Sequence, residues 1–402
     1  MNTASARSRL LVILLTVFID LVGFGIVLPI LPFYAQRFGA QGVGFGFLVS
    51  AFSLMQFLAT AFLGRLSDRF GRRPILLVTM IVNVAGYVLF AFAGSYGLLL
   101  LSRIVCGSAG GNISVAQAYI ADITAPSERS RGMATLGAAF GVGFIVGPAL
   151  GGLAHHYGGA AAPGLLAASL SLANFVSAYF ILSESLGHEH RTHRALWDFR
   201  HLGEAFARPL LRPLLIVWGL IPLAFSGYTV ALPLYTKVMF GWGEKELGYF
   251  FALVGLTAAV VQGFVFGKLV RRFGERSLVR VGTVGMAVSI AVVPLLGSSS
   301  SLYAWTIALA FTNGIASPAL AGLVSVYAGP AEQGAVLGAA QGMSALGRML
   351  GPSLFGTLYD VTSAPVAFLA EGAVMLVGGF VTMALAPASH APAPDSAPPP
   401  PT

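Results

Sequence analysis

Charged side chains are scarce in this chain. Only 9% of its 402 residues are Asp, Glu, Lys or Arg, whereas 56% are hydrophobic and the mean hydropathy is +0.82. In soluble proteins roughly a quarter of the residues are charged. Residues 74–102 and 132–183 contain no charge at all, and each run exceeds the about 20 apolar residues that cross a bilayer as a helix. The composition excludes a soluble domain and predicts an all-α membrane protein.

Cysteine is nearly absent as well, which limits metal and redox chemistry. Cys106, the single cysteine, lies in an apolar run and has no second thiol with which to form an internal disulfide. His188, His190 and His193 stand close together, but in a polar segment without a cysteine, so no metal site is expected. Because no nucleophile, base and orienting group can be combined, the sequence predicts no enzyme and no cofactor.

The net charge of +8 would suggest a nucleic-acid partner if the basic residues shared a soluble face. Instead they collect in the loops on one side of the membrane. That side holds eighteen of the 23 Lys and Arg residues, namely Arg7, Arg9, Arg65, Arg69, Arg72, Arg73, Arg129, Arg131, Arg191, Arg194, Arg200, Arg208, Arg212, Lys268, Arg271, Arg272, Arg276 and Arg280. The opposite side holds three, Arg37, Lys237 and Lys245. Because positive loops stay in the cytoplasm, both termini are expected there, in a protein of the cytoplasmic membrane without a nucleic-acid partner.

Apolar runs between turn signals predict twelve membrane helices. Their expected bounds are 9–35, 42–64, 75–94, 97–122, 132–156, 162–183, 212–238, 246–267, 277–297, 301–327, 333–357 and 364–386. The first run follows Arg7 and Arg9, as in a secretory signal, but its length and the presence of Asp20 and Pro29 favour a retained helix.

A long polar segment, residues 184–211, divides the predicted helices into two groups of six. The first half comprises residues 1–183 and the second half residues 212–386. The tail, 387–402, is rich in Pro and Ala and is expected to be disordered, because it has too few large apolar side chains to pack.

The two halves contain related motifs. The segment Gly64–Pro74, with the sequence GRLSDRFGRRP, predicts a tight loop between helices 2 and 3, and a weaker copy, GKLVRRFGER, follows at residues 267–276. Gly147-Pro148 in helix 5 likewise matches Gly351-Pro352 in helix 11, 204 positions later. Two parallel six-helix repeats place a substrate cavity between them, near the midplane of the membrane.

Asp20 and Arg103 are ionisable residues within predicted membrane helices. A charge there costs a few kcal/mol unless it has a partner or a wet cavity. One interpretation is a structural ion pair between the two. The other, which we favour, is that Asp20 takes up and releases a coupling proton, while Arg103, which stays charged, holds a carboxylate or the substrate.

Further polar residues interrupt the apolar runs. Five amides are candidates for hydrogen bonding in the cavity: Gln56, Gln117, Gln262, Asn313 and Gln341. Each could equally join two helices by a hydrogen bond. Arg348 in helix 11 and Glu371 in helix 12 form a second set of buried charges, which facing helices can bring together although the sequence does not show that they pair.

Glycine is dense in predicted helix 5, where Gly143, Gly147 and Gly151 recur at intervals of four and Pro148 follows the second of them. Small residues four apart allow two helices to approach closely, and a proline removes a backbone hydrogen bond and bends the helix. Packing alone would explain any one pair of these glycines. Their density predicts a hinge at the interface between the halves.

These motifs together resemble the major facilitator superfamily, and within it the tetracycline-efflux branch of the twelve-helix drug:proton antiporters. The segments that carry the resemblance are Gly64–Pro74, Asp20–Pro32, Leu54–Gln56, Gly147–Gly152, Phe240–Trp242, Ser317–Leu320 and Glu332–Ala335. The first of them alone is typical of the superfamily. The combination is typical of the branch.

The resemblance implies a gating cluster that holds the halves together in the outward-open state. By this resemblance, the cluster consists of Asp68, Arg72 and Asp122. The loop around it comprises Gly64, Asp68, Arg69, Gly71, Arg72 and Arg73. The resemblance also implies that Asp20 and Arg103 belong to the proton-coupling site.

Three positions depart from the pattern of that branch. Gly86 stands in helix 3 where the tetracycline exporters have an acid, and Ala258 stands in helix 8 where they have a histidine. Ala134 replaces the first glycine of the antiporter signature. Proton antiport remains the expectation, but the first two departures argue against tetracycline itself as the substrate.

The sequence therefore predicts an exporter that carries a hydrophobic or amphipathic small molecule, of the kind that includes tetracycline, out of the cell by alternating access as protons enter. It is expected to work as a monomer in the lipid bilayer. A facilitator or proton symporter for a metabolite would use the same fold, and so would a transport-inactive membrane receptor or scaffold. These alternatives stay open.

Overall fold

The computed structural model describes residues 3–123, 129–186, 203, 206–328 and 333–383, which form helices and connecting turns without a β-strand. The helices of the first half are Thr3–Val27 (helix 1), the short Leu31–Arg37, Gly42–Phe70 (helix 2), Arg72–Ala91 (helix 3), Tyr96–Ala109 and Asn112–Ile123 (together helix 4), Arg129–Gly158 (helix 5) and Ala162–Ile181 (helix 6). Those of the second half are Arg212–Phe240 (helix 7), Glu244–Val260 with the π-helical turn Val261–Val265 (helix 8), Phe266–Ala291 (the end of helix 8, a break, and helix 9), the 3-10 turn Val293–Leu295, Ser299–Ala328 (helix 10), Gln333–Val361 (helix 11) and Ala364–Met383 (helix 12).

The predicted all-α membrane fold with twelve helices is confirmed. Among the described residues, nine helical segments are long and apolar enough to cross a membrane, and one of them, Glu244–Ala291, contains both helix 8 and helix 9. Helices 5 and 11, which carry the glycine-rich motifs, complete the twelve.

Two predicted helices are interrupted. The expected helix 9–35 ends at Val27, and the chain turns before the short helix that follows. Pro29, which has no N–H to donate, lies in that turn. Helix 4 is interrupted at Gly110 and Gly111. A Cβ on Gly111 would lie 2.6 Å from the Thr60 backbone nitrogen, so this break lets helix 4 approach helix 2 more closely than a larger residue would allow.

The prediction of a loop over Gly64–Pro74 was wrong in its extent. Helix 2 continues to Phe70, and the chain turns at Gly71 alone, where φ is +106°. The weaker copy is built in the same way, since the helix breaks at Gly274 with φ of +74°. A side chain is strained in this left-handed region, so the motif needs glycine at its turn, not at both of its ends.

The helices pack as two pseudo-symmetric bundles. In the first half, helix 1 packs against helices 5 and 6, and helix 3 against helices 4 and 6. In the second half, helix 7 packs against helices 11 and 12, and helix 9 against helices 10 and 12. The halves meet mainly where helix 2 crosses helix 11 and helix 5 crosses helix 8.

These crossings are tight at one end of the molecule, which we call the closed end. A Cβ on Gly46 would overlap the Pro352 carbonyl oxygen, and one on Gly248 would lie 2.8 Å from the Pro148 carbonyl oxygen. The other end, which carries the turns at Gly71 and Gly274, we call the basic end. The space between the halves therefore narrows towards the closed end.

Helix 2 and helix 11 separate towards the basic end. A Cβ on Gly342 of helix 11 would still lie 3.9 Å from Phe57 Cε2 of helix 2, whereas one turn nearer the basic end no atom of the described residues lies within 4 Å of a Cβ built on Gly338. At this crossing, the space between the two halves thus opens towards the basic end.

Several predictions concern residues that the structure does not describe. Most of the polar segment 184–211, the tail 387–402 and the three histidines at 188, 190 and 193 lie outside the described residues. The disordered tail and the absence of a metal site there remain predictions.

Candidate functional site

Asp20 lies in helix 1 and is held by amides from two other helices. Its Oδ1 accepts a hydrogen bond of 3.0 Å from Asn83 Nδ2 in helix 3, and its Oδ2 accepts one from Asn112 Nδ2 in helix 4. Asn83 and Asn112 are 4% and 1% exposed, so both amides donate in a dry environment. The carboxylate therefore joins three helices through neutral donors.

Sequence reasoning missed both asparagines. Asn83 is the sole amide in the charge-free run 74–102, and Asn112 directly follows the glycine pair that interrupts helix 4. A polar amide inside an apolar helix needs a buried hydrogen-bond partner. This need was the signal that could have drawn attention to both residues. The sequence could not show that the partner of both would be Asp20, because they lie 63 and 92 positions from it.

Arg103 in helix 4 is 2% exposed and lies among aromatic rings. Its guanidinium carbon is 5.0 Å from the Phe90 ring centroid and 6.0 Å from that of Phe52. One Nη is 3.9 Å from Cys106 Sγ, and Nε has no hydrogen-bond partner within the described part of the chain. None of the ion pairs among the described residues joins Arg103 to Asp20. The structural ion pair that the sequence left open is therefore not formed in this conformation.

Arg103 also lines a small apolar cavity below the closed end. The other lining residues come from helices 1 and 2 and the turn between them: Phe24, Val27, Leu28, Leu31, Val49 and Phe52. A permanently charged guanidinium at the edge of an aromatic and aliphatic surface suits a ligand with an apolar body and one polar group.

The predicted gating cluster is assembled around Arg72, which is 7% exposed. Its guanidinium lies 2.6 Å from Asp68 Oδ1 and 3.3 Å from Asp122 Oδ2, and it donates to Ser67 Oγ at 2.6 Å. It also approaches the Gly64 carbonyl at 3.4 Å. All of these groups belong to the first half, so in this conformation the cluster stabilises the turn between helices 2 and 3.

Arg69 and Arg73, which flank the turn, point to other partners. The guanidinium carbon of Arg69 lies 5.4 Å from the Phe70 ring centroid. Arg73 donates to the Tyr179 carbonyl at 2.8 Å, which ties the start of helix 3 to the end of helix 6.

Glu184, which sequence reasoning did not select, completes this region. Its carboxylate accepts from the Arg72 and Arg73 backbone nitrogens at 2.8 and 3.3 Å, and so caps the amino terminus of helix 3. Ser185 Oγ donates to Asp122 Oδ2 at 3.0 Å. An acid shortly after helix 6 was the signal available in the sequence. Its partner, the backbone of Arg72, is 112 positions away, so the sequence could not identify it.

The glycines of helix 5 pack mainly against helix 1. A Cβ on Gly143 would lie 2.7 Å from Leu21 Cβ, and one on Gly147 would lie 2.7 Å from the Val22 carbonyl oxygen. A Cβ on Gly151 would overlap the Ile26 carbonyl oxygen. Pro148 contacts both bundles: its ring Cδ would lie 2.8 Å from a Cβ on Gly25 of helix 1, and its carbonyl oxygen 2.8 Å from a Cβ on Gly248 of helix 8 in the second half. The predicted hinge thus lies between the two bundles, although its motion stays a prediction.

Comparison with known proteins agrees with this geometry. A family profile described as Major Facilitator Superfamily matches residues 13–352 and 240–401. The chain belongs to the Major Facilitator Superfamily. It is 32% identical over 387 residues to "Tetracycline resistance protein, class C" of Escherichia coli, covering 92% of this chain and 96% of that protein. It is 29% identical over 382 residues to "Multidrug resistance protein 2" of Bacillus subtilis, covering 94% and 95%.

A solved structure of the superfamily is similar in shape as well as in sequence. The human organic anion transporter MFSD10 superposes with a TM-score of 0.72 at 26% identity, covering 94% of this chain and 99% of that one. The tetracycline-efflux-like branch suggested by the sequence is consistent with these relatives. Membrane transport is the activity of this superfamily, so the chain is a membrane transporter.

Within this superfamily fold, the five candidate cavity amides have different surroundings. Gln56 Nε2 donates to the Gly110 carbonyl at 3.5 Å, and Asn313 Oδ1 accepts from Ser317 Oγ at 3.0 Å. Gln117, Gln262 and Gln341 are exposed. No hydrogen bond between described residues joins any two of the five, so a role in substrate binding stays a prediction.

The second set of buried charges is not paired either. Arg348 donates to Ser344 Oγ at 2.6 Å, in its own helix. Glu371 is fully buried, and neither carboxyl oxygen has a hydrogen-bond partner among the described residues. It lies against helix 7, where a Cβ on Gly227 would be 3.0 Å from its Oε1. The two residues are thus separate in this conformation.

Gly86, one of the departures noted in the sequence, lies in a tightly packed place. A Cβ at this position would overlap Cys106 Sγ and lie 3.1 Å from the Cys106 backbone nitrogen. Helix 3 therefore packs directly on helix 4 and leaves no room for a carboxylate. The glycine noted in the sequence is thus required by the packing of helices 3 and 4 in this structure.

Proposed function

We propose that this protein is a proton-driven exporter of lipophilic small molecules, with the basic end in the cytoplasm. The single observation that carries the proposal is Asp20, an ionisable group in a membrane helix whose hydrogen-bond donors, Asn83 and Asn112, are neutral. A carboxylate within a membrane helix that serves only structure would be expected to have a cationic partner. Arg103, the basic residue that the sequence suggested as its partner, lies against aromatic rings instead.

The neutral donors give the proton a mechanical consequence. An ionised carboxylate accepts hydrogen bonds at both oxygens, whereas a protonated one has an O–H that donates. Protonation of Asp20 therefore weakens at least one of its bonds to Asn83 and Asn112. Because these residues lie in helices 3 and 4, proton uptake would change how helix 1 is held in the first bundle. Proton uptake is coupled to transport if the ionised and the protonated Asp20 favour different conformations of the transporter.

Arg103 is assigned to the substrate and not to the proton. It remains charged at any physiological pH, so it cannot act as the carrier. Its position beside Phe24, Leu28 and Phe52 suits an apolar ring system with a polar substituent. Relatives of this chain are named for resistance to tetracycline and to multiple drugs, which supports a lipophilic drug as cargo.

The orientation of the open space fits export. If the basic end faces the cytoplasm, as the distribution of Lys and Arg predicts, the space between the halves is open to the cytoplasm and closed on the other side. This is the conformation that loads cargo for export. A change to the opposite conformation would release the cargo outside.

The test uses Asp20→Asn in proteoliposomes that contain a pH-sensitive dye. Resistance profiling in a host deficient in efflux first identifies a transported compound. In the wild type, adding this compound should move protons in the direction opposite to the compound, whereas a symporter moves both in the same direction. Asp20→Asn should lose gradient-driven transport by more than about tenfold, since one proton site is removed.

Glu246→Gln provides the matched control, because it also replaces a carboxylate by its amide, but at a residue that caps helix 8 and leaves the proton site intact. Normal gradient-driven transport by the Asp20→Asn protein would refute the coupling role. Proton movement in the same direction as the compound would refute antiport in favour of symport.

A further inference from the structure

Asp360 joins the two halves at the closed end. It lies near the end of helix 11, and its Oδ1 and Oδ2 accept hydrogen bonds from the backbone nitrogens of Gly42 and Val43 at 2.9 and 2.7 Å. These nitrogens belong to the first turn of helix 2. One carboxylate of the second half therefore caps a helix of the first half.

The cap depends on close contact between the two backbones. A Cβ on Gly42 would overlap the Gly356 carbonyl oxygen and lie 2.6 Å from Asp360 Oδ1. About two turns further along, Ser353 Oγ donates to Ser50 Oγ at 2.8 Å across the same crossing. Because the carboxylate reaches Gly42 only when the helices touch, its two bonds exist only while this end is closed.

The cap is stabilising because it lies at the amino terminus of helix 2. The first N–H groups of a helix have no partner within it and carry a partial positive charge, so a carboxylate there makes charge-assisted hydrogen bonds. Helix 2 itself supplies no substitute, because its N-cap, Gln41, makes no side-chain bond to the helix. Opening this end would leave these N–H groups to water.

The other crossing carries a counterpart at the same end. His155 Nε2 of helix 5 lies 3.2 Å from Glu244 Oε1 of helix 8. Glu244 is the first residue of helix 8 and Gly42 is the first residue of helix 2, 202 positions earlier. At both crossings, therefore, a polar contact lies at the amino terminus of a helix. Helix 11 makes this contact with helix 2, and helix 5 makes it with helix 8.

The pair formed by helices 2 and 11 has an acid near the end of each helix. Asp68 lies near the end of helix 2 at the basic end, and Asp360 lies near the end of helix 11 at the closed end. In this conformation Asp360 crosses between the halves, whereas Asp68 pairs with Arg72 in its own half. In this conformation, therefore, the acid at the closed end bonds to the opposite half, whereas the acid at the basic end bonds within its own half.

We infer that Asp360 is a positioning residue for alternating access: its cap on helix 2 stabilises the conformation that is closed at this end and open at the basic end. The inference does not depend on which compound is carried or on proton coupling. Removing the charge should shift the equilibrium towards the opposite conformation by about tenfold, the size of a helix-terminal charge with two hydrogen bonds.

Two pairs of spin labels measure this equilibrium by electron–electron distances in lipid nanodiscs. In a Cys106→Ser background, Tyr157→Cys with Val238→Cys reports the closed end, since the native side chains are 80% and 78% exposed and belong to opposite halves. Phe70→Cys with Phe273→Cys reports the basic end, both residues being 52% exposed. Asp360→Asn should add a longer distance at the closed end and a shorter one at the basic end.

Glu246→Gln is the matched control. Glu246 Oε2 accepts from the Gly243 nitrogen at 2.8 Å, so it also caps a helix at the closed end, but within one half. The control should leave both distance distributions unchanged. If Asp360→Asn does the same, or if both variants shift the distances equally, the inference is overturned. Since no substrate is added, a failure of the proposed export function would not affect this result.

Discussion

Replacing Gly86 by alanine tests the packing that excludes an acid from helix 3. The new Cβ would overlap Cys106 Sγ and would also lie 3.3 Å from Val105 Cγ1. Cys106 is 2% exposed, so its sulfur has little free space into which to move. Adding one methyl group to such a site costs about 1–3 kcal/mol through displaced side chains and backbone.

A double-mutant cycle separates this clash from a general loss of stability. Cys106→Ala removes the sulfur, so the methyl group of Gly86→Ala can occupy part of its space. The double variant should therefore be less destabilised than the sum of the single variants, by about 1–2 kcal/mol. Cys106→Ala alone is the reference for the cost of the missing sulfur.

The assay is the apparent unfolding temperature in detergent, followed by intrinsic fluorescence. For domains of 150–250 residues about 1 kcal/mol corresponds to about 2–4 °C, so Gly86→Ala should lower the temperature by several degrees and Cys106→Ala should restore part of the loss. A Gly86→Ala protein as stable as the wild type would refute the reasoning. So would costs that simply add in the double variant, since the sulfur would then not be the obstacle.

Two further substitutions test other parts of the structure. Asn112→Ala removes one donor from Asp20, and the loss of a hydrogen bond to a charged group, about 1.5–3 kcal/mol, should lower gradient-driven transport at least tenfold. Downhill transport without a proton gradient should stay within about twofold, and an equal loss in both assays would contradict the coupling role. Glu184→Gln removes the charge that caps helix 3 and should destabilise the protein by about 1 kcal/mol, seen as a lower apparent unfolding temperature. An unchanged temperature would show that the neutral amide caps the helix equally well.

Much of the fold follows from local features of the sequence. Apolar runs fix the number of helices, because each must satisfy its own backbone in lipid. The repeated GRLSDRFGRRP segment correctly marks equivalent turns in the two halves, since glycine is needed where φ is positive. The same segment misled the prediction of loop length, because its charged residues are compatible with a helix that extends beyond the membrane to Phe70.

The contacts of the site were harder to predict. Asp20 and Arg103 are conspicuous as charges in apolar runs, and the sequence suggested one site shared by both. Their partners depend on how helices 1, 3 and 4 turn towards one another, which the apolar pattern does not determine. Asn83 and Asn112 satisfy the acid, and aromatic rings surround the base. Only the tertiary packing distinguishes this arrangement from an ion pair.

The two halves share their backbone contacts but not their chemistry. At an offset of 203, the positions of Asp20, Asn83 and Asn112 correspond to three apolar residues of the second half: Leu223, Met286 and Ile315. The close backbone contacts, by contrast, occur in both halves, with Gly46 against Pro352 and Gly248 against Pro148.

This asymmetry limits how a proton on Asp20 can act on the second half. Asp20 contacts helices 3 and 4 directly, but these helices do not form the main crossings between the bundles. Helix 1 does pack along helix 5 through Gly143 and Gly147, and helix 5 meets helix 8 at Pro148. Helix 5 therefore connects the proposed proton site to the second bundle. Its glycines allow helix 1 to lie against it, while the adjacent proline forms the contact that the conformational change must break.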